Sequence, residues 1–521
     1  MKLKKFVSLL LVFAMLGCLL AACGSGSAAQ SATTAAANAS AAAPSGEKRD
    51  DVIVALYSEP STLCGGLAAS TTVNMVSRQI FDTLIMKDKD EQFVPCLATE
   101  WTWENDNKDL VLTLRDDVKF HNGETMTAED VAFSYNTIIN AGYADTVTSA
   151  MDSMEVRDDH TVVLHFQFEY GPALECVASD YMVIFPKAYY EENESTFGRS
   201  PVGTGAYKFV EWNTGDKITL VANEDYFGGA PAIKNVTYRI LTDASVATIA
   251  LESGEIDVHT RVPMTDVSKV ENDPNLRYSE VLGNTTTWII FNFDGIFSDE
   301  RLRLAVAHAI DKEGVMLGAV EGKGAVAQAI YANFVPGYDF DYEGPAYDPE
   351  LSKQLLAEAG YPDGLELTVK CNSSSAYAKP LEIVQAYLAE VGINIHIELM
   401  ESNAWFDDVF KGADYDMNLV SFSMGMADLE ELYALYRGGQ GQNFGHMDDP
   451  VVNAAYDANH TSIDEATRLE AFKTVQHTMG DKALTVPLYT AMSGVAVNKN
   501  LQGIEALAMG NYRIADWSWA E

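Results

Sequence analysis

The chain has 521 residues, enough for more than one packed core, and its 47% apolar and 21% charged residues exclude global disorder. Its 75 acidic against 35 basic residues leave a formal charge of −40. Such a surface repels nucleic-acid backbones and anionic lipid headgroups, so neither is expected as a partner.

The chain opens on Met1-Lys2-Leu3-Lys4-Lys5, then runs almost wholly apolar from Phe6 to Leu20 and reaches small residues at Ala21-Ala22-Cys23. A basic start, a short apolar run and small residues describe a secretory signal, and a membrane span would need about 20 apolar residues. Leu20-Ala21-Ala22-Cys23 resembles a bacterial lipoprotein box. That resemblance implies removal of residues 1–22 and lipidation of Cys23. From Gly24 to Gly46 nearly every residue is Gly, Ser, Ala, Thr, Gln or Asn, so 23–50 reads as a flexible tether without a core. Lipid, tether and body together place the protein at the cell membrane, on its extracellular or periplasmic side.

Four cysteines remain in the body, Cys64, Cys96, Cys176 and Cys371. Export permits disulfides; Cys64–Cys96 is a conceivable bridge and buried free thiols are the alternative. Val52 to Leu56 and Leu110 to Leu114 read as strands. Thr127-Ala128-Glu129-Asp130 reads as a capping box with Asp in the acid position, starting a helix with Val131, Tyr135 and Ile138 on one face and Gly142 at its end. Ser298 is the expected cap of a helix that buries Leu302, Ala305, Val306, Ala309 and Ile310. Asp348-Pro349 starts a helix that ends at Gly360, and Pro380 is the expected start of another, closed by Gly392. Ile393, Ile395, Ile397 and Leu399 then alternate with polar residues as a half-buried strand. Helices and strands in this order give an α/β chain.

No catalytic motif is present: there is no H-E-x-x-H, no G-x-S-x-G, no Walker loop and no C-x-x-C. The chain is therefore read as a non-enzyme without metal or cofactor. Gly203-Thr204-Gly205 reads as a tight turn and His121 as a structural histidine. Asp116-Asp117, Glu430-Glu431 and Asp448-Asp449 read as solvated faces. The aromatic residues are numerous enough to line a cleft as well as a core, and Trp405, near a strand end, is a candidate for the cleft.

Several blocks resemble the oligopeptide, dipeptide and nickel-binding family of solute-binding proteins that serve bacterial ABC importers (extracellular solute-binding protein family 5). Pro95, Leu97, Ala98 and Trp101 match its P-x-L-A-x-x-W, and 114–123 is similar to L-R-x-x-V-K-F-H-D-G with Asn122 in place of Asp. Pro201 to Lys208 resembles P-V-G-T-G-P-Y-K with Ala206 in place of the second Pro, and Leu251 to Asp257 fits L-x-x-G-E-I-D. Thr127 to Val131, Asn223 to Phe227, the stretch 291–312 and Leu355 to Tyr361 supply further blocks in order. Gly123 and Gly205 are expected to take unusual backbone angles within these blocks.

The resemblance implies a two-lobed periplasmic-binding-protein-like fold (type II, cluster C) with an extra subdomain inserted in the first lobe. It implies a first lobe of 51–92, 200–284 and 495–521, an inserted subdomain of 93–199, and a second lobe of 285–494. Crossings near 285–292 and 488–495 are the expected hinges, and the solute sits between the lobes. The implied function is a monomeric, lipid-anchored receptor that delivers an oligopeptide or dipeptide to an ABC permease. An oligosaccharide or metal chelate is the alternative cargo, and a surface hydrolase the reading from another class. In peptide-binding members an Asp in a W-x-x-D-x-x-D-P block holds the ligand's amine. Here Phe422 replaces the Trp, no D-P follows, the anchor position falls on Met424 or Gly425, and Asp428 aligns with the later Asp. The expected ligand-binding residues are Tyr57, Trp288, Trp405, Phe422, Met424 and Asp428. Asp428 has a plainer reading as the cap of the helix through Leu432, Leu435 and Tyr436.

Overall fold

The computed structural model describes residues 49–521 except 69, 89–90, 412–414 and 441–442. The signal, Cys23 and the tether up to 48 lie outside the described residues. The body is built on a nine-stranded mixed sheet. Its strands run, from one edge, Met417–Ser423, Leu276–Phe291, Val486–Asn498, Val258–His259, Asp51–Leu56, Asn235–Ile240, Lys217–Ala222 and Tyr207–Asn213, with Gly324–Val326 added onto Val486–Asn498. Asp51–Leu56 lies parallel to both Asn235–Ile240 and Val258–His259, so the carboxyl ends of these three strands share one edge.

A four-stranded antiparallel sheet of Ala98–Glu104, Asp109–Leu114, Thr161–Phe166 and Met151–Asp158 packs under the helix Ala128–Ala141. Farther along, Leu365–Asn372 and Ile393–Met400 pair in parallel, joined by the helix Ser375–Glu390. One apolar core gathers residues from 52–258 and 495–519 and reaches across to Met426. Two others draw on 289–489 and 288–484. Leu276–Phe291 and Val486–Asn498 run past all three. Their antiparallel ladder holds from Leu276↔Asn498 to Leu282↔Met492, breaks, and resumes at Thr286↔Thr490. An interrupted ladder is where paired strands bend at least cost, because fewer backbone bonds resist the change.

Local rules account for most elements. Thr127 and Asp130 exchange their two hydrogen bonds as a capping box, and Gly142 closes that helix at φ +68. Asp348 caps the helix Pro349–Glu358 by accepting from Leu351 N–H at 3.0 Å. Two helix starts differ from expectation. Asp299, not Ser298, caps Glu300–Ala309, because a carboxylate one residue later reaches the Arg301 N–H at 3.0 Å. The helix expected from Pro380 begins at Ser375. Tyr377 and Ala378 N–H groups already bond to the Ser374 carbonyl, so the helix is nucleated before the proline, which then sits in its second turn.

Gly123 has the expected left-handed φ, +91. Gly205 does not; a Cβ there would lie 2.5 Å from the Ile80 carbonyl carbon, so close backbone approach is what excludes a side chain. His121 is structural, as expected. Its Nδ1 accepts from Gly203 N–H, its Nε2 faces the Gly205 carbonyl at 2.9 Å, and burial holds it down to about 4. Cys64 and Cys96 form no bridge. Cys64, Cys96, Cys176 and Cys371 are buried free thiols, and burial pushes Cys64 up to about 12.

Candidate ligand-binding site

The strand Met417–Ser423 runs into a turn at 424–429 and then the helix Glu430–Tyr436, which packs against Pro450–His460. Asp428 is fully buried at the start of that helix. Its Oδ1 accepts from the Glu430 backbone N–H at 2.9 Å and from Asn459 Nδ2 at 2.8 Å, and its Oδ2 pairs with the guanidinium of Arg468. One carboxylate thus both bonds the first amide of a helix and neutralises a half-buried arginine. Buried charge is tolerated only when so paired.

The two glutamates that follow do not form a solvated face. Glu430 Oε2 bonds His460 Nδ1 at 2.8 Å, and the His460 ring stacks on Tyr433 at 4.3 Å. Glu431 Oε2 accepts from the Gly425 and Met426 backbone N–H groups at 2.8 and 3.3 Å. Among the described residues Glu431 has no lysine, arginine or histidine partner. Asp448-Asp449 also departs from expectation, since Asp449 caps Pro450–His460 and pairs with Lys482 at 2.5 Å. Asp116 and Asp117 are exposed, as expected.

Against this stretch lies the segment 168–176. Gly171 N–H donates to the His460 carbonyl at 3.0 Å, and Glu169 Oε1 accepts from Ile463 N–H at 3.1 Å. The Phe168 ring lies 4.9 Å from that of His460. A Cβ on Gly171 would lie 1.9 Å from the Asn459 carbonyl oxygen, so only glycine allows this approach. Glu175 pairs with Lys87 at 2.6 Å on the same side. The seam therefore gathers Glu175, Asp428, Glu430 and Glu431 around Lys87, Arg468 and His460, with acids in excess. Burial pushes the Glu175 and Glu430 carboxyls up. Burial also raises Glu431 to about 7; its two backbone donors pull it down, while the charges of Asp428 and Glu175 push it further up.

Trp288, Trp405 and Met424 belong to one buried apolar cluster, with Phe422 half-buried against it. Trp288 Nε1 donates to the Tyr436 hydroxyl at 2.5 Å, and the Trp288 and Phe422 ring centres are 6.4 Å apart. Trp405 Nε1 donates to the Lys370 carbonyl at 3.2 Å. Met424 is held by its backbone, which donates to the Asn284 carbonyl at 3.0 Å and accepts from Asn284 Nδ2 at 2.6 Å. Tyr57 is not brought to this cluster; it lines a separate cavity, beneath the guanidinium of Arg261. Sequence reasoning missed Lys87, Glu175, Glu431, Arg261 and Arg468. Only Glu431 carried a local signal, as one half of an acidic pair beside a helix start. Among the described residues no group of three or more His, Cys, Asp and Glu side chains is arranged to hold a metal ion.

Residues 92–444 match the sequence profile of the bacterial extracellular solute-binding proteins, family 5, middle region. The chain belongs to this family. It is 26% identical over 464 residues to the oligopeptide-binding protein AppA of Bacillus subtilis (strain 168), covering 84% of each chain. To heme-binding protein A of Haemophilus influenzae it is 28% identical over 355 residues, covering 62% of this chain and 65% of that one. Its fold superposes on the periplasmic binding protein DppA from Helicobacter pylori in complex with peptide STSA at a TM-score of 0.75 and 24% identity, covering 91% and 99% of the two chains. The architecture is thus the two-lobed α/β fold of family 5, and the chain is a solute-binding protein of the extracellular or periplasmic space rather than an enzyme. No helix among the described residues is long and apolar enough to cross a membrane.

Proposed function

We propose that this family 5 protein is a lipid-anchored receptor that captures a peptide between its lobes and passes it to an ABC import permease. The observation that carries the peptide reading is Glu431, a carboxylate in an acid-rich seam with backbone donors but no cationic side chain. A ligand ammonium there would supply the missing positive charge and hold Glu431 ionised, a gain a neutral solute does not offer. The relative named as an oligopeptide-binding protein favours the same cargo. In this reading Phe422 and Met424, braced by Trp288 and Trp405, form the second-lobe wall. Asp428 with Arg468 sets the wall's charge, and Tyr57 reaches the solute from the first lobe. The broken ladder between Leu276–Phe291 and Val486–Asn498 is the hinge, and the lipid on Cys23 keeps the receptor at the permease.

Calorimetric titration of the full chain with peptides, their N-acetylated forms, oligosaccharides and metal chelates tests this. Free-amine peptides are expected to bind, with acetylation costing more than about tenfold in affinity. Binding of a sugar or chelate in place of every peptide refutes the peptide reading. Equal affinity for free and acetylated peptides refutes the role of Glu431.

A further inference from the structure

The cavity beside Tyr57 lies where the parallel strands Asp51–Leu56 and Val258–His259 end, the edge at which open α/β sheets present their ligand crevices. Its volume is about 150 Å³, and its wall includes Tyr57, Thr242, His259, Thr260 and Arg261 but no carboxylate. His259 is committed elsewhere. Its Nδ1 accepts from the Arg261 backbone N–H at 3.4 Å, its Nε2 faces the Ala244 carbonyl at 3.1 Å, and burial holds it down to about 4. At the start of the adjoining helix Ala244–Glu252 the Ser245 and Val246 N–H groups are already taken by Asp243.

Arg261 is different. Its guanidinium lies 4.0 Å above the Tyr57 ring. Most arginines of this chain pair with carboxylates, among them Arg49, Arg78, Arg239, Arg277, Arg437 and Arg468. Among the described residues the Arg261 guanidinium meets neither a carboxylate nor any other hydrogen-bond acceptor. Among the described residues the hydroxyls of Tyr57, Thr242 and Thr260 likewise meet no hydrogen-bond partner. With 75 acids against 35 bases, an exposed arginine left without an acid beside a donor-lined cavity is available to an incoming anion.

We propose that this cavity is a subsite for a carboxylate of the solute, with Arg261 as its charge partner and Tyr57, Thr242 and Thr260 as neutral donors. A single guanidinium presents two parallel N–H groups that match the two oxygens of a carboxylate, and its ring support from Tyr57 orders it before binding. The lone positive charge, with no lysine in the cavity wall, suits a monoanion better than a phosphate dianion. The proposal rests on the reading above that this fold captures a solute, and it narrows that solute to one bearing a carboxylate.

The test uses the full chain with propionate, propionamide and inorganic phosphate at matched ionic strength. The Arg261 side-chain Nε–H resonance is followed by NMR and assigned with Arg261→Lys. A saturable, millimolar shift is expected with propionate, none with propionamide, and a weaker response with phosphate. Arg261→Met, whose melting curve checks its folding, should abolish the propionate-dependent protection against thermal unfolding. Absence of a propionate-specific shift, a phosphate response stronger than that to propionate, or protection retained in Arg261→Met overturns the proposal. For any solute found by titration, Arg261→Met should weaken a carboxylate-bearing solute more than about tenfold and leave its amide unchanged. A solute bound equally by both proteins overturns the subsite and leaves the receptor reading standing. If no solute of any class binds, the receptor reading fails, and the propionate titration still decides the subsite.

Discussion

Replacing Asp428 separates a helix cap from a buried ion pair. Loss of a cap alone costs about 0.5–2 kcal/mol. Asp428 also neutralises Arg468, and removing one member of a buried pair costs about 3–5 kcal/mol because the other charge is left without a partner. The Asp428 side chain is fully buried while that of Arg468 is 20% exposed, so the arginine regains some water and the lower end, about 3 kcal/mol, applies. Asp428→Asn keeps a good cap and removes only the charge, so it should cost about 2–3 kcal/mol; Asp428→Ala loses cap and pair and should cost about 3–5 kcal/mol. In a double-mutant cycle, Arg468→Met combined with Asp428→Asn should be less destabilised than the sum of the single changes by about 1–3 kcal/mol. Urea unfolding at neutral pH reads all four proteins. An Asn variant within about 0.5 kcal/mol of the parent, or a cycle that closes additively, would falsify the claim that the pair stabilises the fold. Solute affinity measured on the Asn variant then tells whether Asp428 also touches the ligand.

Glu431 sets a pH dependence. Its folded-state carboxyl stands near 7 against an ordinary 4.5, so the contribution is fully present below about 4.5 and is lost as pH rises through 7. Glu431→Gln should flatten that decline and be the more stable protein at pH 8 by about 1–3 kcal/mol, a difference that urea midpoints taken across pH detect; parallel curves for the two proteins refute it. Gly171→Ala places a methyl against the Asn459 carbonyl and should cost about 1–3 kcal/mol, with faster amide exchange at 168–176 and 459–463; unchanged exchange there would show that the seam opens without cost. Cys23→Ser should abolish lipid incorporation and release the protein from membranes, and a lipidated, membrane-bound Ser variant would disprove the anchor.

The elements legible in the sequence are those whose cause is local. The Thr127–Asp130 box, the Asp348-Pro349 start and the alternating strand Ile393–Met400 each depend on neighbours within a few residues, and all three form as read. The family, and with it the two-lobed fold, was legible for another reason: its blocks hold turns and close approaches that tolerate few residues, such as Gly205 against Ile80. Even there the sequence misnamed the cause, because a positive φ and a crowded Cβ both demand glycine.

The candidate site was only partly legible. The 422–428 stretch pointed to the segment that borders the acid-rich seam, yet what Asp428 does depends on Arg468, forty residues on and in another helix. That Glu431 has no cation, that Gly171 meets Asn459, and that Arg261 lies over Tyr57 are outcomes of packing between distant segments. Charge pairing follows distance in space, and a carboxylate in water and one in a seam read alike in sequence. Helix starts and strand periods come from hydrogen bonds the chain makes with itself nearby. Which charges are left unpaired is decided only when the segments close on one another and water is expelled.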